Sequence, residues 1–262
     1  MNPIDYQSFL DELISRLEAD PLVIGLIALG STADLNSRDH FSDHDFWIIT
    51  SPAHQSTYLD SFSWLPHHNN ILFTVRHGLS YRTVLYQSRH KVEYAVFDLE
   101  EATRGKIERF QLLIGRHDIS TLAKSIQLQT RKDRDAALAK PDMLENLCLL
   151  LWTAYERWER GERLSSLRYI QFSVDVFLDL LIVHGRLRKA QVADRLDARR
   201  RLEQMEPKLG EEVGRIAQLS PAEAGVRLID LAEKELRARA PELAWDRVVE
   251  VRKWLQEDVG VV

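Results

Sequence analysis

The chain uses two hydrophobic periods, and the change from one to the other divides it. Residues 5–19 place Tyr6, Phe9, Leu10, Leu13, Ile14 and Leu17 at helical spacing, and Asp20-Pro21 ends the run, which predicts an amphipathic helix. Residues 22–29 (LVIGLIAL) form a short, nearly continuous apolar run closed by Gly30, the pattern of a strand buried on both faces. DFWIIT at 45–50 predicts a second such strand, and Ser51-Pro52 then opens a predicted helix that extends to about Leu65-Pro66. Three further strands are expected at 71–75, 81–87 and 91–99, joined by links short enough for hairpins. Asp98, Glu100 and Glu101 read as the cap of the next helix. LLIG at 112–115 reads as one last strand, and a helix begins at Asp118 or Ser120.

Beyond about residue 140 the strand period disappears. Helices are expected over 142–159, 164–184, 190–204, 222–239 and 241–257, with Gly161, Gly185, Pro207 to Gly210 and Pro221 as punctuation. The expected fold class is therefore an α+β N-terminal domain, a mixed sheet flanked by helices, over residues 1–135, and an all-α helical bundle over 136–262. The segment between them, TRKDRDAALAKP, is charged and short rather than a Gly/Ser tether.

Charge sharpens this division. Residues 1–100 carry 6 Lys and Arg against 13 Asp and Glu, a net of −7, while residues 101–262 carry a net of +2. An acidic first domain is a poor match for nucleic acid, whose phosphates attract clustered Lys and Arg. A small neutral or cationic substrate suits it better. Cys148, the single cysteine, sits in LENLCLLLW and reads as a buried core residue, which fits a reducing, cytoplasmic setting. The N-terminal sequence lacks the order of a signal peptide, and no apolar run reaches the roughly 20 residues of a membrane span.

Candidate chemistry lies between the first two strands. After Gly30-Ser31 an eleven-residue polar loop leads to Asp43-His44-Asp45, and the two carboxylates at i and i+2 project to one side. Such a pair repels unless a cation bridges it, and with oxygen ligands but no histidine or cysteine at ligand spacing, Mg²⁺ is the candidate. Gly30-Ser31 offers a bare backbone turn and a hydroxyl for phosphate oxygens. Glu93 interrupts the apolar run KVEYAVF. If its strand lies beside that of the Asp pair, three carboxylates converge in the manner that binds two Mg²⁺ ions for in-line phosphoryl transfer.

The arrangement LG-S-(x11)-D-H-D-F, with Gly30, Ser31, Asp43 and Asp45, followed by Glu93 in a later strand, resembles the nucleotidyltransferase superfamily that includes DNA polymerase beta and the aminoglycoside and lincosamide nucleotidyltransferases. WTAYERWERGERL at 152–164 is similar to the substrate domains of antibiotic-modifying members. The resemblance implies a catalytic nucleotidyltransferase domain at 1–135 and a helical substrate-binding domain at 136–262. It further implies that Asp43, Asp45 and Glu93 are catalytic and metal-binding, with Gly30, Ser31 and Ser42 at the nucleotide. The implied reaction is Mg²⁺-dependent transfer of a nucleoside monophosphate, AMP from ATP, to a hydroxyl of a small acceptor such as an aminoglycoside or lincosamide. Where many antibiotic transferases carry Arg shortly after Gly-Ser, this chain has Asp34, and the nearest basic residue is Arg38.

Other readings stand beside this one. The target could be a protein hydroxyl, as in antitoxin-type nucleotidyltransferases, or the chain could be a catalytically silent nucleotide-binding regulator; a homodimer is a further candidate assembly. A base for the acceptor hydroxyl is either Glu93 or an acid of the helical part, Glu145, Glu156 or Glu159. Structural alternatives are an edge-strand position for Glu93, core positions for Trp152, Tyr155 and Trp158, and a solvated helix face for Arg199 to Arg201. Seven of the nine histidines fall in the first 100 residues without the spacing of a zinc site.

Overall fold

The computed structural model describes residues 4–34, 38–187 and 197–259. They form two compact units, Met1–Lys132 and Asp133–Val262, and the division falls within a helix.

The first unit opens with α1 (Tyr6–Glu18), whose N-terminus is capped by Asp5 accepting from the Ser8 amide. Six strands follow: β1 (Gly25–Leu29), β2 (His44–Ile49), β3 (Ile71–His77), β4 (Tyr81–Tyr86), β5 (Lys91–Phe97) and β6 (Phe110–Gly115). They form one mixed sheet in the order β3-β4-β5-β2-β1-β6, in which the β2 and β5 pair is parallel and the others antiparallel. Interior strands covered on both sides need apolar residues, which explains the unbroken run of β1 and the run from Phe46 to Ile49 in β2.

Alternation along these strands supplies two cores. On one face Leu26, Phe46, Ile48, Val92 and Tyr94 pack with Phe9, Leu13 and Leu17 of α1. On the other, Ile27, Trp47, Ile49, Ala95 and Phe97 pack with Ile119, Ala123 and Ile126. Between the strands lie two short helices, α2 (Gln55–Leu59) and α3 (Leu99–Ala102), and α3 starts with the capping box of Asp98 and Glu101 that its sequence implied. After β6 comes α4 (Ile119–Leu138).

The long helix expected from Ser51 to Pro66 is instead a 3₁₀ turn, Pro52–His54, and the five residues of α2. The serine-rich stretch that follows turns back, with Trp64 Nε1 donating to the Ser61 carbonyl, and the Trp64 ring settles edge-on against Tyr58 and Tyr94. Burying that ring supplies more apolar contact than another helical turn in a segment of poor helix formers.

The second unit holds α5 (Met143–Glu159), α6 (Arg163–Val183), α7 (Leu202–Met205), α8 (Pro207–Ile216), α9 (Pro221–Leu236) and α10 (Trp245–Val259). Leu147, Leu151, Phe177, Leu181, Leu228 and Leu255 belong to its core. Trp152 and Tyr155 pack against that core, and Cys148 is buried within it, its thiol pushed up to about 12 by burial and then by Glu145. Much of the predicted helix at 190–204 lies outside the described residues; what is described there is a turn and α7. No helix was expected between 204 and 222, yet Pro207, read as punctuation, separates α7 from α8 and opens the latter. Proline is suited to a helix's first turn, and Gly210 lets α8 approach the Glu203 backbone, which an added Cβ would meet at 2.7 Å. Among the described residues no helix is long and apolar enough to cross a membrane.

Candidate active site

The parallel pairing of β2 and β5 puts Asp45 and Glu93 directly opposite each other in register. Register partners on neighbouring strands lie about 4.8 Å apart and share a face. Glu93 is thus on an interior strand, flanked by β4 and β2, and the edge-strand alternative does not apply. Asp43 precedes β2 by one residue. Its carboxylate is joined to that of Glu93 by one ammonium, with Lys91 Nζ 2.8 Å from Asp43 Oδ2 and 3.1 Å from Glu93 Oε1. The three acids singled out in the sequence are therefore neighbours.

Gly30-Ser31 lies beside them. Gly30 ends β1 with φ of +50°, a conformation that costs glycine little, and a Cβ there would stand 3.7 Å from Asp45 Oδ2. The turn is tied to the acids by Thr32, which is fully buried. Its Oγ1 accepts from the Asp45 amide at 2.8 Å and donates to the Asp43 carbonyl at 3.3 Å. The Tyr6 hydroxyl reaches both, 3.0 Å from Thr32 Oγ1 and 2.9 Å from the Asp43 carbonyl. Arg38 closes over this knot, donating to the carbonyls of Ser31 and Thr32 and lying over the Tyr6 ring. Asp34, found where the related pattern has arginine, pairs with Arg109 at 3.0 Å, so a guanidinium reaches this turn from the segment just before β6. The Ser42 hydroxyl accepts from the Asp39 amide at 2.9 Å and donates to Asp39 Oδ1 at 3.3 Å, in a local turn.

His44, between the two aspartates, points to the opposite face. It stacks on Tyr6 at 3.7 Å between ring centroids, and its Nδ1 lies 2.8 Å from Nε2 of His90. Burial, and then His90, lowers its pKa to about 3; burial also lowers that of His90, to about 4. Both rings are neutral at pH 7. Burial acts to lower the Lys91 pKa, but the hydrogen bonds and charges of Asp43 and Glu93 outweigh it and the net shift is upward, so Lys91 is a full cation there.

A cavity of about 590 Å³ opens on the same face, bounded by Asp45 and Glu93 at one side, by Trp47 and Tyr81, and by Arg104 and Lys106. Gly105 shapes its wall by lying flat on the indole, since a Cβ there would be 2.3 Å from Trp47. The cavity has acids, aromatic rings and cations within one small volume.

Along nearly its whole length the chain can be aligned with solved structures. One is an aminoglycoside 6-adenyltransferase from Bacillus subtilis, at 13% identity over 97% of this chain and 98% of that one, with a TM-score of 0.38. Another is a nucleotidyltransferase-like protein from Exiguobacterium sibiricum, at 10% identity over 90% of this chain and 78% of that one, with a TM-score of 0.37. No family model and no curated protein matches the chain.

The donor set of Asp43, Asp45 and Glu93 is hard and anionic, which suits Mg²⁺. As the side chains stand, no group of three possible ligands among the described residues is gathered closely enough to hold a metal ion. Two of the acids, Asp43 and Glu93, share the ammonium of Lys91. Of the acids considered in the helical part, Glu145 is paired with Arg247 at 3.2 Å, Glu156 is half-buried and Glu159 is exposed. WTAYERWERGERL closes the α5 to α6 turn, with Arg163 over the Trp158 ring and Arg157 paired with Glu162.

Proposed function

We propose that the chain is a Mg²⁺-dependent nucleotidyltransferase that moves a nucleoside monophosphate, AMP from ATP, to a hydroxyl of a small acceptor. The observation that carries this reading is the register match of Asp45 with Glu93 across parallel strands, with Asp43 joined to Glu93 through one cation. Three acids fixed by a sheet, beside a glycine turn and an open cavity, suit phosphoryl chemistry better than structural roles, because clustered like charges weaken a fold that does not use them.

Asp43, Asp45 and Glu93 would hold Mg²⁺, which when bound neutralises phosphate oxygens and lowers the pKa of an acceptor hydroxyl. The turn at Gly30-Ser31 approaches the phosphates through its backbone, and the Thr32 knot keeps it in fixed relation to Asp43 and Asp45. Arg104 and Lys106 line the same cavity as Asp45 and Glu93 and would attract the negative charge of the triphosphate. Glu93, at the cavity wall, is placed to take the proton of an acceptor hydroxyl. Trp47 and Tyr81 offer ring faces to a base or sugar.

A protein acceptor is favoured by one observation of its own. The edge strand β3 and the turn after it expose Leu72, Phe73, Val75 and Leu79. The deciding experiment uses ATP labelled at the α or the γ phosphate with a panel of hydroxylated antibiotics and, separately, cellular protein. Nucleotidyl transfer puts the α label on an acceptor and leaves the γ label in pyrophosphate. Transfer of the γ label to the acceptor, or of neither label to any acceptor, would refute it.

A further inference from the structure

Lys91 was not required by the chemistry above, yet its ammonium contacts two of the three acids, Asp43 at 2.8 Å and Glu93 at 3.1 Å. It stands two residues before Glu93 on β5, so both side chains project from the same face. Its ammonium contacts one oxygen of Asp43 and one of Glu93, and a divalent ion bridging those oxygens would need the same space. We infer that Lys91 is a built-in competitor for the metal: the ammonium and the divalent ion are alternative counter-charges for Asp43 and Glu93, so Lys91 sets the affinity of the site for a bare cation. This rests on the reading of Asp43, Asp45 and Glu93 as metal ligands.

Two features support exchange rather than a fixed ion pair. Lys91 is partly exposed, with 43% of its side chain accessible, so the flexible stem can withdraw into solvent without unpacking a core. Both of its partners are also reachable from solvent, which limits the strength of each pair and makes displacement by a doubly charged ion feasible. The consequence is a site that keeps its acids neutralised enough to fold while resisting bare divalent cations.

The test is a titration of nucleotide-free protein with Mn²⁺, followed by the loss of the free-ion electron paramagnetic resonance signal, on wild type, Lys91→Met, Lys91→Arg and the double variant Lys91→Met with Asp45→Asn. Removing the competing charge should tighten Mn²⁺ binding about tenfold in Lys91→Met. Lys91→Arg should stay near wild type, and the double variant should lose the gain. Thermal unfolding gives a second readout: Lys91→Met should melt below wild type in EDTA and recover with Mn²⁺ by more than wild type does. Equal or weaker Mn²⁺ binding in Lys91→Met, a gain that persists in the double variant, or no Mn²⁺ binding by any of the four would overturn the inference. Failure of the proposed reaction is distinguishable. Tighter Mn²⁺ binding in Lys91→Met without nucleotidyl transfer would leave the competition standing and remove the activity.

Discussion

Thr32→Val replaces a buried hydroxyl with a methyl group of similar size and removes the knot that joins the Gly-Ser turn to both aspartates. In the native fold Oγ1 accepts from the Asp45 amide and sits within hydrogen-bond distance of the Tyr6 hydroxyl and the Asp43 carbonyl. Tyr6 retains the Asp43 carbonyl as a partner at 2.9 Å, so its hydroxyl is not stranded. The bond from the Asp45 amide is lost, and a part-buried hydrogen bond of this kind contributes about 1 kcal/mol. The expected loss of stability is thus about 1 kcal/mol. Urea unfolding followed by the fluorescence of the buried Trp47 measures it as a lower midpoint with an unchanged slope. The same variant should lose nucleotidyl transfer by more than its stability loss explains, because the turn and the acids no longer share one rigid frame. A variant with wild-type midpoint and full activity would show that the hydroxyl does not hold the site together.

Two further expectations concern packing and pH. Gly105→Ala should destabilise the first unit by about 1–3 kcal/mol, the usual range for overpacking, and shift the emission of Trp47, since the new methyl meets the indole at 2.3 Å; an unshifted spectrum would contradict that contact. His44 and His90 are held neutral in the fold, with pKa values of about 3 and about 4 against 6.5 unfolded, so they have no pH-dependent effect on stability above 6.5. As pH falls below 6.5 the unfolded chain takes up protons that the folded pair refuses, and stability should drop by about 1.4 kcal/mol per unit for each histidine down to the folded values. Urea unfolding at pH 7 and pH 5 should differ accordingly, the difference should shrink in His90→Gln, and equal stability at both pH values would refute the burial of the pair.

Much of the candidate site was legible because strand alternation is a strict two-residue period. It placed Glu93 on the face shared with Ala95 and Phe97, and Phe46 and Ile48 on the face opposite Trp47. The same alternation places Lys91 on the face of Glu93, so the signal for the competing cation was present in KVE beside the acid already singled out. Thr32, Tyr6 and Arg109 gave no such signal. Their roles depend on an irregular turn and on contacts 26 and 75 residues apart in sequence, as between Tyr6 and Thr32 and between Asp34 and Arg109. In the helical unit the long amphipathic runs were readable, whereas the ten-residue α8 was not expected, although Pro207, read as punctuation, suits a helix's first turn.

The central claim is that Asp43, Asp45 and Glu93 act together on a nucleotide. It is tested most directly by pyrophosphate release from ATP with an acceptor present, in Mg²⁺ and in EDTA, for wild type and Asp45→Asn at matched folded concentrations. Release that requires Mg²⁺ and acceptor and is abolished in Asp45→Asn is the predicted result; undiminished release by Asp45→Asn, or equal release in EDTA, would contradict it.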